Sequence, residues 1–165
     1  MPNYQSISGK VIAYEDFPVG DAAALGCYKI ITLRSDDAQI TRFITSPYTY
    51  FVDGFRISLG SRIAVFYDTD VPTILIYPPQ YRAIVVAHEN RKRNVTVDFF
   101  DTDLVDSKGR LKLIVSPSTK IILRNGQPFT QNPASHYLIV IYGATTRSIP
   151  AITNPNQIIV LCKQP

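Results

Sequence analysis

The sequence predicts an all-β fold built as two duplicated small antiparallel β-barrel modules packed together. Three observations carry this expectation. Ile, Val, Thr, Tyr and Phe dominate the 165 residues, while Met is single and Trp absent, a mix that favours strands. No ten-residue stretch shows the 3.6-residue apolar period of a helix. Finally, the chain repeats itself. Ile44-Thr45-Ser46-Pro47-Tyr48-Thr49-Tyr50 returns as Ile114-Val115-Ser116-Pro117-Ser118-Thr119-Lys120. Arg62–Tyr67 returns as Tyr137–Tyr142, and the same offset lays Ala83–Ala87 on Ile158–Cys162. Such self-similarity is the trace of duplicated supersecondary units. A single β-sandwich spanning the chain is the competing architecture.

Each element follows from local pattern. Ile7–Tyr14 reads as the first strand, with Gly9 as a bulge or bend. Pro18–Gly26 is a connection, in which Asp21 caps one helical turn through Leu25. Cys27–Arg34 and Gln39–Thr45 form a hairpin around Ser35-Asp36-Asp37-Ala38. Thr49–Val52 is short and turns at Asp53-Gly54, and Arg62–Tyr67 and Arg82–Ala87 complete the first half. The second half holds Val95–Phe100, Leu111–Val115, Lys120–Leu123, Tyr137–Tyr142 and Gln157–Leu161. Its start is too short for two long strands, so one strand there is shortened or replaced. Closure of short strands into a barrel would bury one face and remove the edges.

The order Gly9, Val11, Ile31-Thr32-Leu33, Phe43, Ser46-Pro47, Thr49, Asp53-Gly54, Leu59-Gly60 and Arg62–Tyr67 resembles small bacterial OB-type β-barrel proteins without assigned function. The resemblance covers residues 7–87, and the second half more loosely. It implies a fold and no particular activity, because such barrels serve as nucleic-acid binders and as structural modules alike.

Charge divides the chain as the repeat does. Residues 1–87 carry 7 basic and 8 acidic side chains, whereas residues 88–165 carry 10 and 5. The predicted organisation is a first module over 1–88, a basic linker over 89–94 and a second module over 95–165. The N-terminus lacks a basic region followed by an apolar stretch and cleavage site. No run reaches the 18 or so apolar residues of a membrane helix. A cytoplasmic protein without membrane contact is expected, with Cys27 and Cys162 as reduced core residues.

Residue types that carry chemistry are sparse. Only 2 histidines occur, and no HxH, HExxH or CxxC spacing is present, so neither a catalytic centre nor a cofactor is expected. Asp101 and Asp103 would share a strand face and are weak candidates for a hard cation. Two sets of residues point to partners instead. Tyr48, Tyr50, Tyr77, Pro78, Pro79 and Tyr81 offer stiffly held rings, suited to a protein surface. The apolar loops 71–76 and 147–152 need covering, by the sister half or by a second copy. Arg91, Lys92, Arg93, Lys108, Arg110, Lys112, Lys120 and Arg124 offer cations to an anionic partner, and Lys108, Arg110 and Lys112 alternate as along one strand face. The sequence therefore points to a non-enzymatic structural or protein-interaction module, self-association included. Single-stranded nucleic-acid binding is the alternative.

Overall fold

In the computed structural model, residues 1–18 and 22–163 are described, and they fall into two compact units, Met1–Glu89 and Asn90–Pro165. Each is built almost wholly of strands.

Unit 1 opens with β1 (Tyr4–Asp16), followed by β2 (Lys29–Arg34) and β3 (Ile40–Thr45). These pair antiparallel, β2 and β3 through a tight turn in which the Ala38 amide donates to Ser35 O at 2.9 Å. The expected helical turn is a 3-10 turn at Ala22–Ala24, while its cap Asp21 lies outside the described residues. After β4 (Tyr50–Phe51), β5 (Arg62–Asp68) returns along β1, entered through Gly60 with φ of 84°. The chain then pairs with β3 as β6 (Gln80–Arg82) and with β4 and β5 as β7 (Val85–His88). The sheet order is β4-β7-β5-β1-β2-β3-β6. Val11, Ile31, Leu33, Phe43, Ile63, Val65, Ala83 and Val86 form the core of this unit. Burying each large apolar side chain contributes about 1.5–3 kcal/mol.

Gly9 is not the bulge. The register shift of β1 falls between Val11 and Ala13, and Gly9 pairs regularly with Ile63. Glycine is required for another reason. A Cβ on Gly9 would stand 2.6 Å from the Arg34 carbonyl oxygen, so close backbone approach dictates the residue.

Unit 2 contains β8 (Asn94–Phe100), β9 (Leu111–Leu113), β10 (Lys120–Leu123), β11 (His136–Tyr142), β12 (Ala151–Thr153) and β13 (Gln157–Leu161). They form a four-stranded sheet, β10-β13-β11-β8, and a two-stranded sheet, β12-β9. No long counterpart of β2 follows β8. Two single bridges, Phe100 with Asp106 and Val105 with Lys112, stand there instead. The core gathers Phe100, Leu111, Leu113, Leu138, Val140, Ile158 and Val160.

The expected pair of duplicated antiparallel OB-type barrels, and the competing sandwich, are both corrected by these sheets. One unit holds seven strands in one sheet, and the other divides its strands four and two. Each unit also contains parallel ladders: β3 with β6 and β4 with β7, then β9 with β12 and β10 with β13. These ladders lay one strand–corner–strand coil in register on another, the stacked-coil arrangement of a β-solenoid. The physical reason for the misreading is plain. Strand patterns specify which face is buried, whereas partner and direction are set by corners and loops.

The Ser-Pro-x-Thr corner makes the coil turn. In unit 1 the Ser46 amide donates to Thr49 Oγ1 at 3.0 Å, and Thr49 Oγ1 donates to Ala83 O at 2.9 Å. In unit 2 the Ser116 amide donates to Thr119 Oγ1 at 3.3 Å, and Thr119 Oγ1 lies 2.9 Å from Pro155 O. The next rungs match as well, with Tyr50 N to Ile84 O and Lys120 N to Asn156 O. Thus Ala83 corresponds to Pro155, three residues before the Ile158 that the apolar pattern selects. Apolar runs align in several registers; hydrogen bonds select one.

Thr49→Val keeps the shape of the side chain and removes both of its hydrogen bonds. It is expected to destabilise unit 1 by about 1–3 kcal/mol, the cost of stranding partly buried polar groups. Thr49→Ser should recover most of that loss. Urea unfolding followed by tyrosine emission, available because the chain has 10 Tyr and no Trp, gives the comparison.

Candidate interaction surface

The segment between β5 and β6 leaves the sheet through polar anchors and carries apolar side chains outward. Asp68 Oδ1 accepts from the amides of Asn3 at 3.0 Å and Asp70 at 2.9 Å, and the Thr69 amide donates to Asn3 O at 2.8 Å. Beyond that anchor every residue from Val71 to Tyr77 is exposed. The Ile76 amide donates to Ile74 O at 3.0 Å. This i to i+2 bond makes a γ-turn with Leu75 at its tip, where Leu75 is 99% exposed. Ile74 and Tyr77 are 74% and 84% exposed. Pro78 and Pro79 then fix φ, and Pro79 O accepts from the Arg42 amide at 2.8 Å, returning the chain to β3.

The loop and its neighbours enclose a cleft of about 530 Å³, lined by Phe17, Ile44, Ile84, Tyr81, Asp68 and Arg82 among others, and by residues 71–74 of the loop itself. Tyr81 is held by stacking on Tyr67, ring centroids 4.3 Å apart, and both rings lie against Phe43 at 5.9 Å. Burial, and then the neighbouring Tyr81, push the Tyr67 phenol above its ordinary pKa.

Unit 2 presents a smaller counterpart. The Thr146 amide donates to Ile152 O and the Ile152 amide to Thr146 Oγ1, both at 2.9 Å, closing a loop whose Ile149 is 93% exposed.

The sequence-selected tyrosines do not form one group. Tyr48 is in the corner turn and 77% exposed, whereas Tyr50 is half-buried in β4, so they share no strand. Tyr77 stands on the loop, Pro78 and Pro79 brace it, and Tyr81 lines the cleft. The exposed aliphatic side chains of the loop, Ile74 and Leu75, were not among those selected rings. Their signal was an apolar run bounded by Pro72 and Pro78, which a sheet interior would not accept.

The cations are dispersed over several elements. Asn90–Arg93 is a tight turn, closed by Arg93 N to Asn90 O at 3.2 Å and Lys92 N to Asn90 Oδ1 at 2.9 Å, with Arg91 and Lys92 exposed. Lys108 sits in the turn ending at Gly109, Arg110 precedes β9, and only Lys112 of that trio is in a strand. Lys120 opens β10 and Arg124 occupies the turn after it.

The acidic residues organise turns. Asp101 Oδ1 accepts from the amides of Asp103 at 2.8 Å and Val105 at 3.0 Å. Asp98 binds the Ser107 hydroxyl and amide, and Asp106 Oδ1 accepts from Arg110 N at 2.7 Å. Among the described residues no group of three or more His, Cys, Asp or Glu is placed to hold a metal ion. The His88 ring lies tilted against Phe55 with centroids 3.8 Å apart, and His136 Nδ1 donates to Ala134 O at 2.8 Å. Cys27 and Cys162 are free and exposed, not the core residues their type predicts. Among the described residues no helix is long and apolar enough to cross a membrane.

Comparison with protein-family models, with curated proteins and with solved structures finds no match.

Proposed function

We propose that this protein is a non-enzymatic protein-interaction module that self-associates, working in the cytoplasm. The supporting observation is the loop of unit 1, where an apolar tip is held away from the sheet by polar anchors and prolines. Exposed apolar patches of this kind mark interaction sites, and a stiff loop loses little conformational entropy on binding. The free state of both thiols accords with a reducing compartment. The acidic side chains are engaged in turn hydrogen bonds, which accords with a scaffold role.

Light scattering across a protein concentration series tests this reading. The mass is expected to rise above the 18.5 kDa of one chain as concentration increases. A strict monomer at every concentration would contradict self-association.

Single-stranded nucleic-acid binding is the second reading. It is favoured by Lys108, Arg110 and Lys120, which are exposed within one unit and form no ion pair among the described residues. Anisotropy of a labelled single strand should then fall steeply between low and moderate salt; no binding at micromolar protein would remove this reading.

A further inference from the structure

Resting on the self-association reading, we infer that the partner of the 71–77 loop is the same loop and cleft of a second copy, related by a two-fold axis passing near Leu75. Three observations select a second copy over another occupant.

The first is area. Val71, Ile74, Leu75, Ile76 and Tyr77 together expose on the order of 400 Å², taking about 200 Å² for the tyrosine and about 100 Å² for each aliphatic side chain. With the cleft walls added, the surface approaches the roughly 600 Å² that each partner contributes at the small end of a standard interface.

The second is shape. The same patch carries a projecting tip, Leu75, and beside it a cleft of about 530 Å³ with apolar walls. An isologous contact requires a self-complementary surface, and knob beside hole supplies one.

The third is charge. The cleft carries one acid and one base, Asp68 and Arg82. The described hydrogen bonds of Asp68 use only Oδ1. Among the described residues, the ion pairs of this unit join Lys29 to Asp16 and Arg62 to Asp36 and Glu89, leaving Arg82 outside them. A second copy offers an Arg82 for Asp68 and an Asp68 for Arg82, so its cleft complements this one in charge. A strongly acidic or basic partner would meet one opposed charge.

The test uses the full chain with Cys27→Ser and Cys162→Ser, which removes the two exposed thiols. In that background Leu75→Cys places one thiol near the axis of each copy. Oxidised glutathione should convert the two introduced thiols of a pair into one disulfide, releasing two molecules of reduced glutathione. The expected result is a covalent dimer that accumulates at concentrations where the uncross-linked chain associates. In parallel, Leu75→Asp should weaken association at least tenfold while leaving the unfolding midpoint unchanged. Association that survives Leu75→Asp, with no cross-link through position 75, overturns this interface but leaves self-association standing elsewhere, for instance through Ile149. A chain that stays monomeric before any substitution overturns both.

Discussion

Phe43→Ala is expected to cost about 3–5 kcal/mol, the range for emptying a buried aromatic site, and so to shift the unfolding midpoint of unit 1 further than any other single truncation considered. Phe43 is fully buried and central to its unit. It packs with Ile31, Leu33, Ile63, Val65 and Val86, and it supports the rings of Tyr67 and Tyr81. The cavity left behind would also release Tyr81, a wall of the cleft. The substitution should therefore loosen the association surface as well as the core. Phe43→Leu, which retains most of the volume, should cost much less. Urea unfolding of the two variants, read by tyrosine emission, checks both the size and the order. Equal midpoints for Phe43→Ala and the parent chain would show that the site is not packed as described.

Gly9→Ala is expected to destabilise unit 1 as well, although it adds a single methyl group. That carbon would lie 2.6 Å from Arg34 O and 2.9 Å from Arg34 C. Both are backbone atoms, so no side-chain rotation relieves the contact, and β1 or β2 must shift. Overpacking of this kind costs about 1–3 kcal/mol. Gly26→Ala provides an informative contrast. Gly26 has open space around its Cβ position but a φ of 82°, so an alanine there bears backbone strain without a clash, at about 1–2 kcal/mol. A smaller loss for Gly9→Ala than for Gly26→Ala would contradict the close approach of β1 and β2.

These two residues show how far the sequence was legible. The strand-forming runs on either side of Ser35–Ala38, read as a hairpin, placed β2 and β3 to within two residues of their observed bounds. Lys120–Leu123 and Gln157–Leu161 were placed as they stand in β10 and β13. These are local matters of residue type and turn chemistry. Gly9 was recognised as special but for the wrong reason, because the carbonyl it accommodates is supplied by another strand. Strand β12 was missed, since Ala151–Thr153 is too short to show a period. Architecture suffered most. The sequence contains the same corner twice, yet the sheets it leads into differ in strand number, and both carry parallel ladders that depend on contacts between distant segments.

The candidate surface was legible in part. The apolar loop could be read from its prolines, but the tyrosines selected with it separate into a corner, a strand, a loop tip and a cleft wall. Spacing along the chain could not distinguish these, because exposure is decided by which strands receive the loop's ends. The two cysteines illustrate the same limit. Their type predicts burial, and both lie at the ends of elements where the chain meets solvent.

The central claim is that residues 71–77 form the self-association surface, and hydrogen exchange measured as a function of protein concentration tests it most directly. In a single copy the loop holds one internal backbone hydrogen bond among the described residues, Ile76 N to Ile74 O, so its amides should exchange rapidly in dilute solution. The account predicts that exchange across 71–77 slows as concentration rises through the association range, while the amides of β2 and β3 keep their rates. Exchange across 71–77 that stays equally fast in the associated state would contradict it.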